Sequence, residues 1–306
     1  MRVSVLALMI GALLPVAATA QQAAGPLTEP ARPQASPTTA ASPASDPIIV
    51  TGRPLPSKQQ IRAITRSMSP ATPSTDPLAR FHNAVCLASI GLDRPTLERI
   101  GERFAEDAEQ AGLRLAGDHC KPNIILFFVD GVSTEINALV KRKWWIFGDR
   151  NPAEIRMITH ERGPVRAWSD SETRARDGER IDIEGFLRVA TASRVNAPIR
   201  KDTLAAIVMI ERSAVVGKTT HQIADYVAMR ALAGARPPKN DDQETILGLF
   251  AENPQGVAAE MTSLDRGYLR GLYAAQANAF AWSTQGQIVR TILKAKDSEI
   301  RQAQRP

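Results

Sequence analysis

NIILFFVD (residues 123–130) is an unbroken apolar run, Ile124 to Val129, closed by a polar residue at each end. It is too short for a typical core helix and rich in β-branched and aromatic side chains. That combination predicts a strand buried on both faces, the kind found inside a sheet covered by helices. Asp130-Gly131 then supplies a turn, and Ser133 or Thr134 is positioned to cap a helix from Glu135 to Trp145. Asp130 also stands where a strand end in an open sheet presents ligand-binding groups. Within that helix, Trp144 and Trp145 point to different sides, so one is expected in the core and the other at a contact.

The same reading extends in both directions. FHNAVCLASIG (81–91) reads as extended chain. A helix is expected from Asp93–Thr96 to about Leu113, with Pro95 near its start and Leu97, Ile100, Phe104 and Ala108 on one stripe. PVRAWSD (164–170) and IDIEGFLRVA (181–190) alternate as strands or a hairpin around a charged turn at 171–180. DTLAAIVMIE (202–211) is another apolar strand, ended by Gly217. Thr219 or Thr220 opens a helix, Pro237-Pro238 closes that unit, and helical segments follow at 243–250, 263–273 and about 282–301. The expected fold class is α+β: a mixed β-sheet packed with helices and a helical C-terminal third.

Before this unit the composition changes. MRVSVLALMIGALLPVAATA (1–20) has one positive charge, an apolar core and a small-residue ending, the pattern of a cleavable signal peptide. Its core is too short to span a bilayer comfortably, and no later run is long enough, so no transmembrane segment is expected after cleavage. A periplasmic or secreted location follows. Residues 21–77 are rich in Pro, Ala, Ser and Thr, and read as a disordered arm that cannot bury enough surface to offset its ordering entropy. The globular unit is expected at 78–301, with a tail at 302–306. Inside the arm, DPIIVTG (46–52) is a β-prone island. Ile48, Ile49 and Val50 form a candidate partner-binding strand that would join either a partner's sheet edge or the chain's own.

Cleavage would remove one of 38 basic residues and none of 32 acidic ones, leaving 37 against 32. The excess is small and scattered. Its densest cluster, Lys141-Arg142-Lys143, falls at a helix end, where it complements the helix dipole. No periodic basic face suggests nucleic acid. Export places Cys86 and Cys120 in an oxidising compartment, where they allow one intramolecular disulfide. The alternatives are two free thiols or a metal pair, for which only His119 is an adjacent companion.

Two stretches invite catalytic readings. VVGKTT (215–220) ends like a phosphate-binding loop, but Arg212 occupies the position of the required first glycine. In THQIADYVAMRAL (220–232), His221 and Asp225 are four apart, as in the H-E-x-x-H helix of zinc peptidases, and are the candidate metal ligands. Gln222 replaces the carboxylate that would act as general base, and an amide cannot take up a proton. Ala231 falls where a third ligand would stand. Ile223, Tyr226, Val227 and Leu232 give the same helix an ordinary apolar face.

Residues 81–273 resemble a group of uncharacterised exported proteins of sphingomonad-type α-proteobacteria. The resemblance is carried by AVCLASIGL (84–92), DHCKPNIILFFVDG (118–131), PVRAWSD, ASRV (192–195), HQIADYVAMRALA (221–233), ETILGLF (244–250) and LDRGYLRGLY (264–273). Roughly residues 200–275 also resemble degraded metzincin-type peptidases in the order of their elements: a helix, a loop, a short helix, and a helix ending Leu-Tyr. The resemblances imply a metzincin-like scaffold without a full zinc set and supply no activity. The expected function is therefore an exported, non-catalytic protein with a binding or envelope-associated role, with no cofactor. One competing expectation is a hydrolase holding zinc at His221 and Asp225. Another is interaction with the TonB system through residues 46–52.

Overall fold

In the computed structural model the run at 124–129 is the inner strand β2 (Ile124–Val129) of a four-stranded mixed sheet. The structure describes residues 56–148, 150–181, 193, 196–238, 245–251 and 258–303. The strand order is β1 (Leu87–Ile90), β2, β4 (Ile199–Glu211), β3 (Val165–Ala175). β2 is parallel to both β1 and β4, while β3 runs antiparallel to β4 and is the last strand of the sheet among the described residues, with a bulge at Asp170/Ser171. The class is α+β.

Strand alternation divides the core into two layers. Ile124, Leu126 and Phe128 of β2, with Ala206, Val208 and Ile210 of β4, face the larger one. Covering it are α1 (Lys58–Met68), α2 (Arg94–Gln110), α5 (Thr220–Leu232), α6 (Ser263–Ala274) and α7 (Ala281–Ala303). Ile207 and Met209 face the smaller layer, with Val132 and Ile136 of α3 (Val132–Arg142), Phe147 and Trp168. Each large side chain buried in these layers contributes about 1.5–3 kcal/mol. α6 and α7 approach closely because Gly267 and Gly271 leave room for the α7 backbone; a Cβ on Gly271 would lie 2.5 Å from Ile288 Cα.

Several local expectations are corrected. The arm was expected to run to residue 77, yet 58–68 form α1, with Ile61, Ile64 and Met68 buried. A Ser57/Gln60 capping box starts that helix, and an apolar stripe at i, i+3 and i+7 docks it against α7. α3 begins earlier than expected. Its N-cap is Gly131, at φ +87°, and the Glu211 carboxylate at the end of β4 accepts from the Gly131 and Val132 N–H groups at 2.7 and 2.8 Å. A partner brought by the tertiary fold thus replaces the hydroxyl cap. The helix also ends at Arg142. Trp144–Phe147 is a separate 3₁₀ turn; both tryptophans are exposed, and Phe147 enters the core instead. β3 continues through the expected turn to Ala175, and 246–250 is a 3₁₀ turn rather than an α-helix. The sequence pattern left α4 (Pro152–Thr159) unassigned; an Asn151/Glu154 capping box and Pro152 start it. Residues 46–52 and 182–190 lie outside the described residues.

Cys86 and Cys120 form a disulfide, joining the start of β1 to the segment before β2. No helix among the described residues is long and apolar enough to cross a membrane.

Candidate functional site

At its far end the outer edge of β3 is met by the chain turning back on it, with Arg180 bridged to Arg174 and the Ala175 N–H donating to the Glu179 carbonyl at 2.9 Å; at 165–169 no strand of the described residues pairs with it. The Pro164 carbonyl accepts from Glu211 N–H, so residues 164, 166 and 168 bond inward to β4. In an antiparallel ladder the alternate residues, Val165, Ala167 and Ser169, then aim their N–H and C=O groups outward. Arg166 donates to the Val165 carbonyl at 2.8 Å and Arg150 donates to that of Ser169. Ala167 is the central residue whose outward donor and acceptor have no partner among the described residues.

This edge bounds a cleft of about 1130 Å³. α4 supplies another wall through Met157 and Ile158. The C-terminal half of α5, the turn Ile246–Phe250 and the segment after α1 complete it. Among the described residues, five basic side chains line it against two acidic ones, Glu154 and Glu161. This balance favours a ligand carrying carboxylate or other negative groups.

A buried polar group of the cleft is built on α5. Arg230 and Tyr226 are one turn apart on the same face. Arg230 is 6% exposed; it donates to Glu161 at 2.9 Å and to the Tyr226 hydroxyl at 3.2 Å. Burial raises the Tyr226 pKa above the ordinary phenol value, against the opposing pull of Arg230, so the group stays neutral. Its hydroxyl accepts from Arg230 and retains a proton to donate. Phe250 packs edge-on against the Tyr226 ring at 4.8 Å, which fixes the ring's orientation. The arrangement can bind and orient a polar ligand. Among the described residues no three His, Cys, Asp or Glu side chains converge as a metal set.

The sequence-selected ligands lie elsewhere on α5. His221 is exposed in the first turn. Asp225 is fully buried and faces α2: it accepts from Arg103 Nε at 2.7 Å, and its second oxygen accepts from the Met261 N–H. Both oxygens are committed, and His221 is not drawn toward them. Gln222, at the position of a zinc peptidase's general base, completes the helix cap with Thr219 and donates to the Ala258 carbonyl at 2.9 Å. Asp130 pairs with Arg212 at the surface. Asp265 is a buried clasp accepting from Thr245, Thr262 and the Ile246 N–H. The Tyr268 hydroxyl bonds Ser69 at 2.9 Å. Ile48, Ile49 and Val50 lie outside the described residues. Arg230 and Glu161 escaped the sequence reading. The usable signal was a lone arginine four residues after a tyrosine in the otherwise apolar second half of the helix; Glu161 carried none.

No protein-family model matches the chain, and neither a curated protein nor a solved structure does.

Proposed function

We propose that the protein is an exported, non-catalytic binding protein whose cleft holds an extended polypeptide segment against β3. The observation that carries this reading is the edge at 165–169, which no strand of the described residues pairs with and which forms one wall of the cleft. An extended chain would add a strand there through main-chain hydrogen bonds, with alternate side chains entering the cleft. The basic lining favours segments bearing acidic residues or a terminal carboxylate. Export is supported by the leader-like residues 1–20 and by the Cys86–Cys120 disulfide. A peptidase-like scaffold is supported by the succession of α5, the Ile246–Phe250 turn and an α6 that carries Leu272-Tyr273. The engagement of Asp225 by Arg103 gives a zinc site at His221 and Asp225 no support.

The test uses a peptide selected from a random display library on the immobilised protein, with binding followed by fluorescence anisotropy. Ala167→Pro removes the outward N–H at an edge position where proline is tolerated. It is expected to weaken the selected peptide at least tenfold while the far-UV circular dichroism spectrum is unchanged. Perturbed amide resonances should centre on Val165, Ala167 and Ser169. Equal affinity for the variant, or resonances perturbed elsewhere, would refute edge-strand binding.

A further inference from the structure

The sequence Lys141-Arg142-Lys143-Trp144-Trp145 occupies the tip of α3 and the turn that follows it. The turn is anchored by packing. Phe147 is buried and stacks on Trp168 at 5.0 Å between centroids, and the Trp168 indole N–H donates to the Ile146 carbonyl at 3.0 Å. Gly148, at φ +63°, packs so tightly on Asp170 that a Cβ would lie 2.1 Å from its carboxylate. From this turn Trp144 and Trp145 project at 64% and 61% exposure. Two adjacent indoles held this far out are a large apolar surface with no partner among the described residues.

Lys141, Arg142 and Lys143 are exposed and form no salt bridge among the described residues. Glu135, the one acidic side chain of α3, lies six residues back, roughly 9 Å along the axis. The helix dipole accounts for cations at this end. It does not account for the two tryptophans.

We propose that this tip docks the protein on anionic phospholipid surfaces. The three cations meet headgroup phosphates, and the two indoles enter the interfacial layer, where an amphipathic ring is favoured at the boundary of water and hydrocarbon. Each cation near such a surface strengthens binding about fivefold at physiological salt. Because the turn is already ordered by Phe147, little conformational freedom is lost on docking. The patch is separate from the β3 edge at Ala167, so the inference stands whether or not the cleft binds polypeptide.

The experiment is sedimentation with vesicles, using the protein in the form that cells accumulate. Vesicles of phosphatidylglycerol and phosphatidylcholine are compared with pure phosphatidylcholine at low and high salt. Expected are binding to the anionic vesicles, its weakening by salt, and a blue shift of tryptophan emission. Lys141→Gln/Arg142→Gln/Lys143→Gln should lower the partition coefficient about a hundredfold, the product of the three cation effects. Trp144→Ala/Trp145→Ala should lower it at least tenfold and abolish the blue shift, whereas Trp282→Phe should leave both intact. Equal binding to neutral vesicles would overturn the proposal. So would unchanged binding by the two multiple variants, or a tip that binds inorganic phosphate or a protein but no vesicle.

Discussion

Asp107 should make the protein less stable as pH rises, and Asp107→Asn should remove that dependence. The side chain is 3% exposed between α2 and α5, and one of its oxygens has no partner among the described residues. Arg103 pairs with Asp225 at 2.7 Å and reaches Asp107 only at 3.8 Å. Glu106 and Glu260 share the same guanidinium from the surface. Burial first, then the charge of Asp225 and a hydrogen bond to it, raise the Asp107 pKa to about 8, while Arg103 pulls it down. The unfolded value is about 3.9. Between these values the native state holds a proton that the unfolded state has released, so stability falls with rising pH. The contribution is fully present below about pH 4 and is lost as pH rises to about 8. A full proton difference is worth about 1.4 kcal/mol per pH unit, or at most about 3 kcal/mol between pH 5 and 7. Asparagine reproduces the neutral carboxyl, still donates to Asp225, and does not titrate. Urea unfolding with the disulfide intact, at pH 5, 6 and 7 and constant ionic strength, should show the variant gaining on the wild type as pH rises. A difference independent of pH, or a variant that loses ground at pH 7, would mean that Asp107 is ionised in the native protein and would refute the reasoning.

Two further outcomes follow from packing and covalent structure. Gly271→Ala places a methyl group against the α7 backbone at Ile288 and should cost about 1–3 kcal/mol by overpacking, read as a lower midpoint in thermal unfolding. Mass measurement after alkylation without reductant should find neither Cys86 nor Cys120 modified. Replacing both by serine should cost about 4 kcal/mol for a separation of 34 residues, the loop-entropy figure for a cross-link of this span.

What the sequence determined by itself lies in periodicity and local chemistry. The run at 124–129, the stripe of α2 with its Asp93 cap and Pro95, and the helix opened by Thr219 are legible because strands and helices repeat at 2 and 3.6 residues. Even α1 was signalled by Ser57, Gln60 and three spaced apolar residues, although the surrounding proline-rich composition obscured it. The cysteine pair was readable because two cysteines allow only one intramolecular partner. The tertiary structure decided the rest, because burial and partnership are relations between segments far apart in the chain. Glu211 caps α3 across 80 residues. Arg103 claims Asp225 across 122 residues and turns a spacing that suggested a metal ligand into a helix-to-helix ion pair. The β3 edge becomes one wall of a cleft only when α4 and α5 pack beside it. Trp144 and Trp145 are both exposed, although one of them was expected in the core, because Phe147 takes the buried place and stacks on Trp168.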